Sequence, residues 1–519
     1  MRAQSEIEQL LRKRVAESPS DTWLYFKDEE YSWAAALSFA RRSANGLLAL
    51  GLRPGERVGI MASNRPDFLW AYFGCLLIGC HVVPINRWQR GPALEHMIND
   101  SAVRAVICDS ELVPIISELR ERTPLLSWLV VLAGARPAGA EAAFEDLLLS
   151  PDREPDVEVR EAVEAVGLLY TSGTTGPPKG ILARSFERHL WPLLEPFDIK
   201  PGEVIYTCMP LFHASALLVF GTASIRRNVK LALGEAFSAS GFWDECRRYN
   251  AVCANIFGVM IPYLLKQPPL PNDRDNPLRG VLSVGCPTFA WKEFEERFNV
   301  RIVEFYGATD APGFVMNTEG KVGSVGKPID GAEYRIVDAS DSELPPGTLG
   351  EIVYRHPTGR LTAYNNLPDV TEQTWRGGWY HSGDLGEMDE EGFFYFRGRV
   401  KEAIRRRGEN ISAWEVSSVI DLHPKIQESA AFGVPSEQGE EEVMVAVVPR
   451  PGVSDLRPEE ILEFCQGRLA YYALPRYIDI LTELPKTSTQ KIQHLALKAR
   501  GRSERTWDRD KVGYVVSRS

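Results

Sequence analysis

Closely spaced cysteines are missing from this chain. Its eight (Cys75, Cys80, Cys108, Cys208, Cys246, Cys253, Cys286 and Cys465) stand at no metal-ligating spacing and mostly among apolar neighbours. That excludes a zinc module and a dense disulfide framework, and leaves reduced, packed thiols. A long apolar run is missing too, since the stretch from Phe68 to Ile78 is interrupted by Gly74 and is too short to span a bilayer. The chain starts Met-Arg-Ala-Gln-Ser-Glu-Ile-Glu, polar and acidic, without the apolar segment of a secretory signal. The expected compartment is therefore the cytoplasm, with no membrane span. Clustered positive charge is also lacking. Lys and Arg number 59 against 70 Asp and Glu, for a net charge of -11. The densest basic run is only Arg405-Arg406-Arg407, so nucleic acid is not an expected partner. No fixed-period repeat marks a solenoid.

What is present is ordinary globular composition over 519 residues, with 44% hydrophobic, 25% charged and 10% aromatic side chains. That length is enough for roughly two to four domains. Apolar residues recur at helical spacing from Trp33 to Leu50, and Gly51 closes the helix. The short strand Arg57 to Met61 follows the turn Pro54-Gly55-Glu56, and a helix resumes at Pro66. A strand from His81 to Ile85, a helix through Ile98 and a strand from Ala105 to Cys108 come next. This alternation predicts an α/β fold of doubly wound sheets, continued between about 200 and 310. Residues 134–165 read as a surface connection. Residues 322–398 read as a β-rich subdomain, 402 onwards as a compact α+β unit, and the tail beyond Gly501 as loosely held.

The most informative segment is Leu168-Leu169-Tyr170-Thr171-Ser172-Gly173-Thr174-Thr175-Gly176-Pro177-Pro178-Lys179-Gly180. An apolar strand enters a loop of hydroxyls and glycines that ends in a lysine. Glycines let backbone approach an anion closely, and consecutive N–H groups form an anion-binding concavity. The hydroxyls add donors and Lys179 adds charge. The Walker loop is a different pattern, G-x-x-x-x-G-K-[ST] opening a helix.

This string resembles the phosphate loop of the adenylate-forming superfamily, which includes acyl-CoA synthetases, luciferases and peptide-synthetase adenylation domains. The resemblance holds in order along nearly the whole chain. Phe305-Tyr306-Gly307-Ala308-Thr309-Asp310 is similar to the motif Y-G-x-T-E. It implies Tyr306 and Gly307 beside adenine, Thr309 at the α-phosphate and Asp310 as ligand for Mg²⁺, one methylene shorter than the usual Glu. Trp379-Tyr380-His381-Ser382-Gly383-Asp384 resembles the segment whose Asp holds the ribose hydroxyls. Gly398-Arg399-Val400-Lys401-Glu402 resembles the domain junction, with Arg399 on ribose or phosphate and Lys401 as hinge. Gly408-Glu409-Asn410-Ile411 is similar to the loop that admits the pantetheine arm of coenzyme A. Leu484-Pro485-Lys486-Thr487-Ser488-Thr489-Gln490-Lys491-Ile492 resembles P-K-T-x-T-G-K-I, making Lys491 the adenylation lysine and Gln490 a replacement for Gly.

Met209-Pro210-Leu211-Phe212-His213 is similar to the P-x-F-H segment of acyl- and aryl-CoA ligases, which implies His213 at the substrate carboxylate or thiol tunnel. No Asp stands between Leu211 and Val219 to pair with an α-amino group. The rest of the acyl pocket is expected from Asn255 to Met260, Ser283 to Pro287 and Gly307 to Gly313, among them Phe257, Gly258, Met260, Gly285, Cys286, Ala308 and Gly313, which suits a bulky hydrophobic acid. The stretches Phe242 to Pro268 and Glu390 to Glu415 look most like crotonobetaine/carnitine–CoA ligases. The resemblance implies a large domain (1–399) and a small mobile domain (400–519). ATP, Mg²⁺ and coenzyme A are the implied cofactors, and a homodimer is an allowed assembly. Two other readings stand beside it: loading of an acyl group onto a carrier-protein pantetheine, and a nucleotide-binding protein that has lost catalysis.

Overall fold

The computed structural model describes residues 3–134, 136–164, 166–171, 177–183, 190–329, 331–400, 404–406, 409–436, 441–466, 468–469, 471–486 and 492–514. The chain forms two compact units. The first comprises the described residues of Met1–Gly173, Pro177–Glu333 and Arg355–Tyr380, and the second those of Tyr334–Tyr354 and His381–Ser519.

Short Val/Ile-rich strands alternate with amphipathic helices through most of the first unit, and such strands bury both faces of a parallel sheet. The largest sheet has nine strands. Its parallel centre runs through Arg301–Ala308, Gly280–Val284, Ala251–Phe257, Val204–Thr207, Lys230–Leu233 and Thr22–Phe26. Antiparallel hairpins close both edges. A five-stranded parallel sheet is centred on Arg57–Met61 and Val103–Cys108. A three-stranded antiparallel sheet joins Leu169–Thr171, Lys179–Ala183 and Thr362–Tyr364.

Helix Trp33–Ala49 starts where the Ser32 hydroxyl accepts the Ala35 N–H, and the chain leaves it through Gly51 at φ 96°. The apolar run from Phe68 lies in helix Pro66–Leu77, in which every residue but Asp67 is buried. It is a core helix, and among the described residues no helix is long and apolar enough to cross a membrane. All eight cysteines are buried and unpaired.

In the second unit, Glu333–Val337, Gly350–Arg355, Tyr380–Met388 and Phe394–Arg399 make one four-stranded sheet. A second joins Ile426–Pro435, Glu441–Pro449, Tyr477–Ile480 and Trp507–Asp508, with a core of Val416, Ile420, Val445, Val447 and Ile461. The last of these strands corrects the expected loose tail. Trp507 and Asp508 pair with Ile478 and Tyr477, and Arg476 Nε lies 3.2 Å from Asp508 Oδ1. Trp507 and Asp508 are thus held by one short ladder and an ion pair, neither of which has a local sequence signal.

Candidate functional site

Strand Leu169–Thr171 pairs antiparallel with Lys179–Ala183, and Thr171 stands opposite Lys179. The phosphate-loop segment is therefore the connection of a hairpin whose first and last residues are registered. Ser172, Gly173, Thr174, Thr175 and Gly176 lie outside the described residues, as does the side chain of Thr171. The hairpin is braced by a third strand, Thr362–Tyr364, with Tyr364 opposite Ile181 and Thr362 opposite Ala183.

That third strand reaches Asp310. Thr309 and Asp310 form the two-residue turn between strands Arg301–Ala308 and Ala311–Asn317. Tyr364 OH donates to Asp310 Oδ2 at 2.5 Å, and Thr362 Oγ1 donates to the Asp310 carbonyl at 2.6 Å. Lys179 Nζ sits 5.0 Å from the centre of the Tyr364 ring, in cation–π range. One tyrosine thus touches both the magnesium-ligand candidate and the phosphate-loop lysine. Burial and then the Asp310 charge raise its phenol well above the usual range, so it stays a donor at neutral pH. The Asn365 N–H continues the third strand's ladder by donating to the Gly180 carbonyl at 2.8 Å, and Tyr170 OH donates to Asp100 Oδ2 at 2.7 Å.

The acyl-pocket candidates collect at the carboxyl ends of three parallel strands, where open α/β sheets place their ligands. Phe257 ends Ala251–Phe257, Gly285 and Cys286 follow Gly280–Val284, and Tyr306, Gly307 and Ala308 end Arg301–Ala308. Gly313 lies buried on the returning strand. Gly258 has to be glycine, because a Cβ there would overlap the Gly285 carbonyl. The Phe257 N–H points at Met260 Sδ, 3.2 Å away. His213 packs edge-on to Phe257 with ring centres 6.0 Å apart, and Phe212 meets Trp88 at 5.8 Å.

Two buried residues that the motifs do not mark shape this end. Asn64 donates to the Met209 and Gly234 carbonyls at 2.9 Å and accepts the Leu211 N–H at 2.8 Å, which fixes the segment leading to His213. Glu304 Oε1 accepts the N–H groups of Gly285 and Cys286 and so holds that loop. Burial lifts its carboxyl to about 7, against the opposing pull of those donors. A carboxylate two residues before Tyr306 is the only sequence signal for it.

In the second unit Asp384 is registered opposite Arg399, with Arg399 Nε 2.9 Å from Asp384 Oδ1. Asp384 is 2% exposed. The turn before it is held by Glu351, which accepts the Gly383 N–H at 2.9 Å and lies 3.0 Å from His381 Nδ1. Asp341 joins these two to give a carboxylate–imidazole cluster within 4.8 Å. Both Glu351 oxygens are engaged in it, so its evident work is to fix the 381–384 turn. Glu409 and Asn410 lie on a short strand paired with Arg406 and Arg405. Lys401, Gly408, Gln490 and Lys491 lie outside the described residues.

Comparison with known proteins bears directly on this arrangement. Residues 11–362 match the family model described as AMP-binding enzyme, and 415–491 match that of the AMP-binding enzyme C-terminal domain. A crotonobetaine/carnitine–CoA ligase of Salmonella arizonae is 30% identical over 491 residues, covering 91% of this chain and 93% of the relative. The solved anthranilate CoA ligase AuaEII, bound to anthranoyl-AMP, superposes with a TM-score of 0.85 at 26% identity, over 96% of this chain and 98% of that one. The o-succinylbenzoate CoA synthetase MenE of Bacillus subtilis, solved with ATP and magnesium, has a TM-score of 0.81 at 25% identity, over 94% and 99%. Both domains of the pattern are matched in order, and the chain belongs to the AMP-binding enzyme family.

Proposed function

We propose that this chain is an ATP-dependent carboxylic acid–CoA ligase that works through an acyl-adenylate. The observation that carries the reading is the joined arrangement of phosphate hairpin, Tyr364 and Asp310, in a chain similar over nine tenths of its length to a CoA ligase. A carboxylate is a poor acyl donor because its leaving group would be an oxide. In the first step a substrate carboxylate oxygen attacks the α-phosphorus of ATP, the bond to the bridging oxygen breaks, and pyrophosphate leaves. The attacking group is already ionised, so no protein base is required. Charge that develops on phosphorus is met by Thr309, the Thr171–Thr175 loop, Lys179 and Lys491. Tyr306 and Gly307 hold adenine, and Asp384 and Arg399 hold ribose. In the second step a thiol attacks the acyl carbonyl, the carbon–oxygen bond to AMP breaks, and AMP leaves.

The donor set fits magnesium. Tyr364 occupies Asp310 Oδ2 and, among the described residues, no side chain bonds Oδ1. A carboxylate oxygen is the hard ligand that Mg²⁺ takes, and the ion would supply charge neutralisation on the phosphates. Between the steps, residues 400–519 rotate about Lys401, withdrawing Lys491 and presenting Gly408, Glu409 and Asn410 to the pantetheine arm. His213, with Phe257, Gly258, Met260, Gly285, Cys286, Ala308 and Gly313, receives a bulky acid without an α-amino group. The curated relatives favour coenzyme A over a carrier protein as acceptor. Separated half-reactions test the reading: acid, ATP and Mg²⁺ alone should yield acyl-AMP and pyrophosphate, and adding CoA should then yield thioester and AMP. Thioester with an acyl phosphate and ADP instead would refute it.

A further inference from the structure

Asn255 is the third residue from the carboxyl end of strand Ala251–Phe257, in the sheet that carries the acyl-pocket candidates. It is 4% exposed, and neither its amide oxygen nor its amide nitrogen has a hydrogen-bond partner among the described residues. Buried amides are almost always bonded, because an unmade bond forfeits the hydration given up on burial. An amide with both ends unmet inside a sheet therefore calls for a group from outside the fold. Side chains alternate along a strand, so Asn255 shares its face with Phe257, whose ring packs against His213. Its registered neighbours are apolar, Leu282 on the next strand and Val303 beyond it. Ser283 and Glu304 are registered with Ile256 and face the other way. Ser215, two residues past His213, has a buried hydroxyl that is likewise unbonded. Asn255, on the strand face that carries Phe257, and Ser215, two residues past His213, are thus neutral polar groups with no partner among the described residues.

We infer that the acid this enzyme activates carries a neutral hydroxyl or carboxamide group that hydrogen-bonds the Asn255 amide. The inference rests on the ligase reading and narrows the expected bulky acid to one with a polar group on an apolar frame. Such a group both donates and accepts, which is what the two unmet atoms require. An ionic group set against Leu282 and Val303 would meet no charged side chain among the registered strand neighbours of Asn255. A site built around a hydrogen bond discriminates strongly against the analogue lacking it, since its own polar atoms are then left unpaired.

The test uses acid-dependent exchange of labelled pyrophosphate into ATP, with pairs of acids matched in shape. One member of each pair bears a hydroxyl or carboxamide and the other a methyl group in its place. Wild-type protein should prefer the polar member of at least one pair by about 10²-fold or more in kcat/KM. Asn255→Leu, and independently the smaller Asn255→Val, should level or reverse that preference. Because the amide is unbonded in the protein alone, neither change should lower the melting temperature measured without acid. Identical ranking of every pair by wild type and both variants would overturn the inference and assign Asn255 to a buried water. A fall in melting temperature by several degrees in both variants would also overturn it, since the amide would then be bonded within the fold. Absence of exchange with every acid would overturn the ligase reading itself.

Discussion

Around Asp310 and around Asn255 the same unit treats its polar groups in opposite ways. Asp310 is gripped through its carboxylate and its carbonyl by Tyr364 and Thr362, and Tyr364 also lies under Lys179. Asn255 is more deeply buried, yet neither end of its amide is bonded among the described residues. The nucleotide end can be built in advance because every substrate of this chemistry brings the same triphosphate. Preorganised donors and charges then need no rearrangement when charge develops on phosphorus. The acyl end meets the part of the reaction that differs from one ligase to another, and there the fold leaves hydrogen-bonding capacity for the substrate to complete.

Substitutions at the two ends sharpen or break this contrast. The largest effect belongs to the nucleotide end: Lys491→Ala should lower pyrophosphate exchange about 10³-fold for every acid, while thioester formation from supplied acyl-adenylate is largely kept. Equal loss of both half-reactions would remove Lys491 from its role. Asp310→Asn keeps an acceptor for Tyr364 but loses the charge. It should cut exchange about 10²-fold and raise the magnesium needed for half-maximal rate, and a magnesium titration reads both.

Tyr364→Phe removes one hydroxyl that donates to a carboxylate, a bond worth about 1.5 kcal/mol or more. The expected result is a rise of about tenfold in the KM for ATP at limiting magnesium, with a smaller change when magnesium saturates. Direct titration of Mn²⁺ with the ATP-bound protein, followed by electron paramagnetic resonance, should show weaker binding by a similar factor. An unchanged Mn²⁺ affinity would reduce Tyr364 to a packing residue.

The last effect is on stability rather than rate and concerns Glu304, which holds the Gly285–Cys286 loop. Burial raises its carboxyl from 4.5 to about 7. Between those values the folded protein keeps a proton that the unfolded chain has released, so this group makes stability fall as pH rises from about 5 to 7. Glu304→Gln retains an acceptor for both N–H groups and removes the titration. Its melting temperature relative to wild type should therefore climb across that interval, by the equivalent of about 3 kcal/mol at most. A pH-independent difference would show that the carboxyl is ionised throughout.

Much of the fold and part of the site were legible in the sequence, for identifiable reasons. Strand Arg57–Met61 and helices Trp33–Ala49 and Pro66–Leu77 follow from periodicity and from Gly or Pro at their ends. The phosphate hairpin was legible because its signal is contiguous. Tyr364 was not, because its two partners, Asp310 in a turn and Lys179 on a strand, are far away in sequence. Asn64 was hidden for the same reason, since it bonds Met209 and Gly234. Asn255 falls at the start of a segment expected to line the acyl pocket, and its missing partners are what single it out there. The strand at Trp507–Asp508 has no sequence signal because two residues are too few to show alternation.

The contrast between the two ends is tested most directly by one side-by-side measurement of pyrophosphate exchange for wild type, Tyr364→Phe and Asn255→Leu over a single panel of acids. Tyr364→Phe should depress exchange by the same factor for every acid, and Asn255→Leu should change the order of the acids. Reordering by Tyr364→Phe, or a uniform loss in Asn255→Leu with the order intact, would contradict the account.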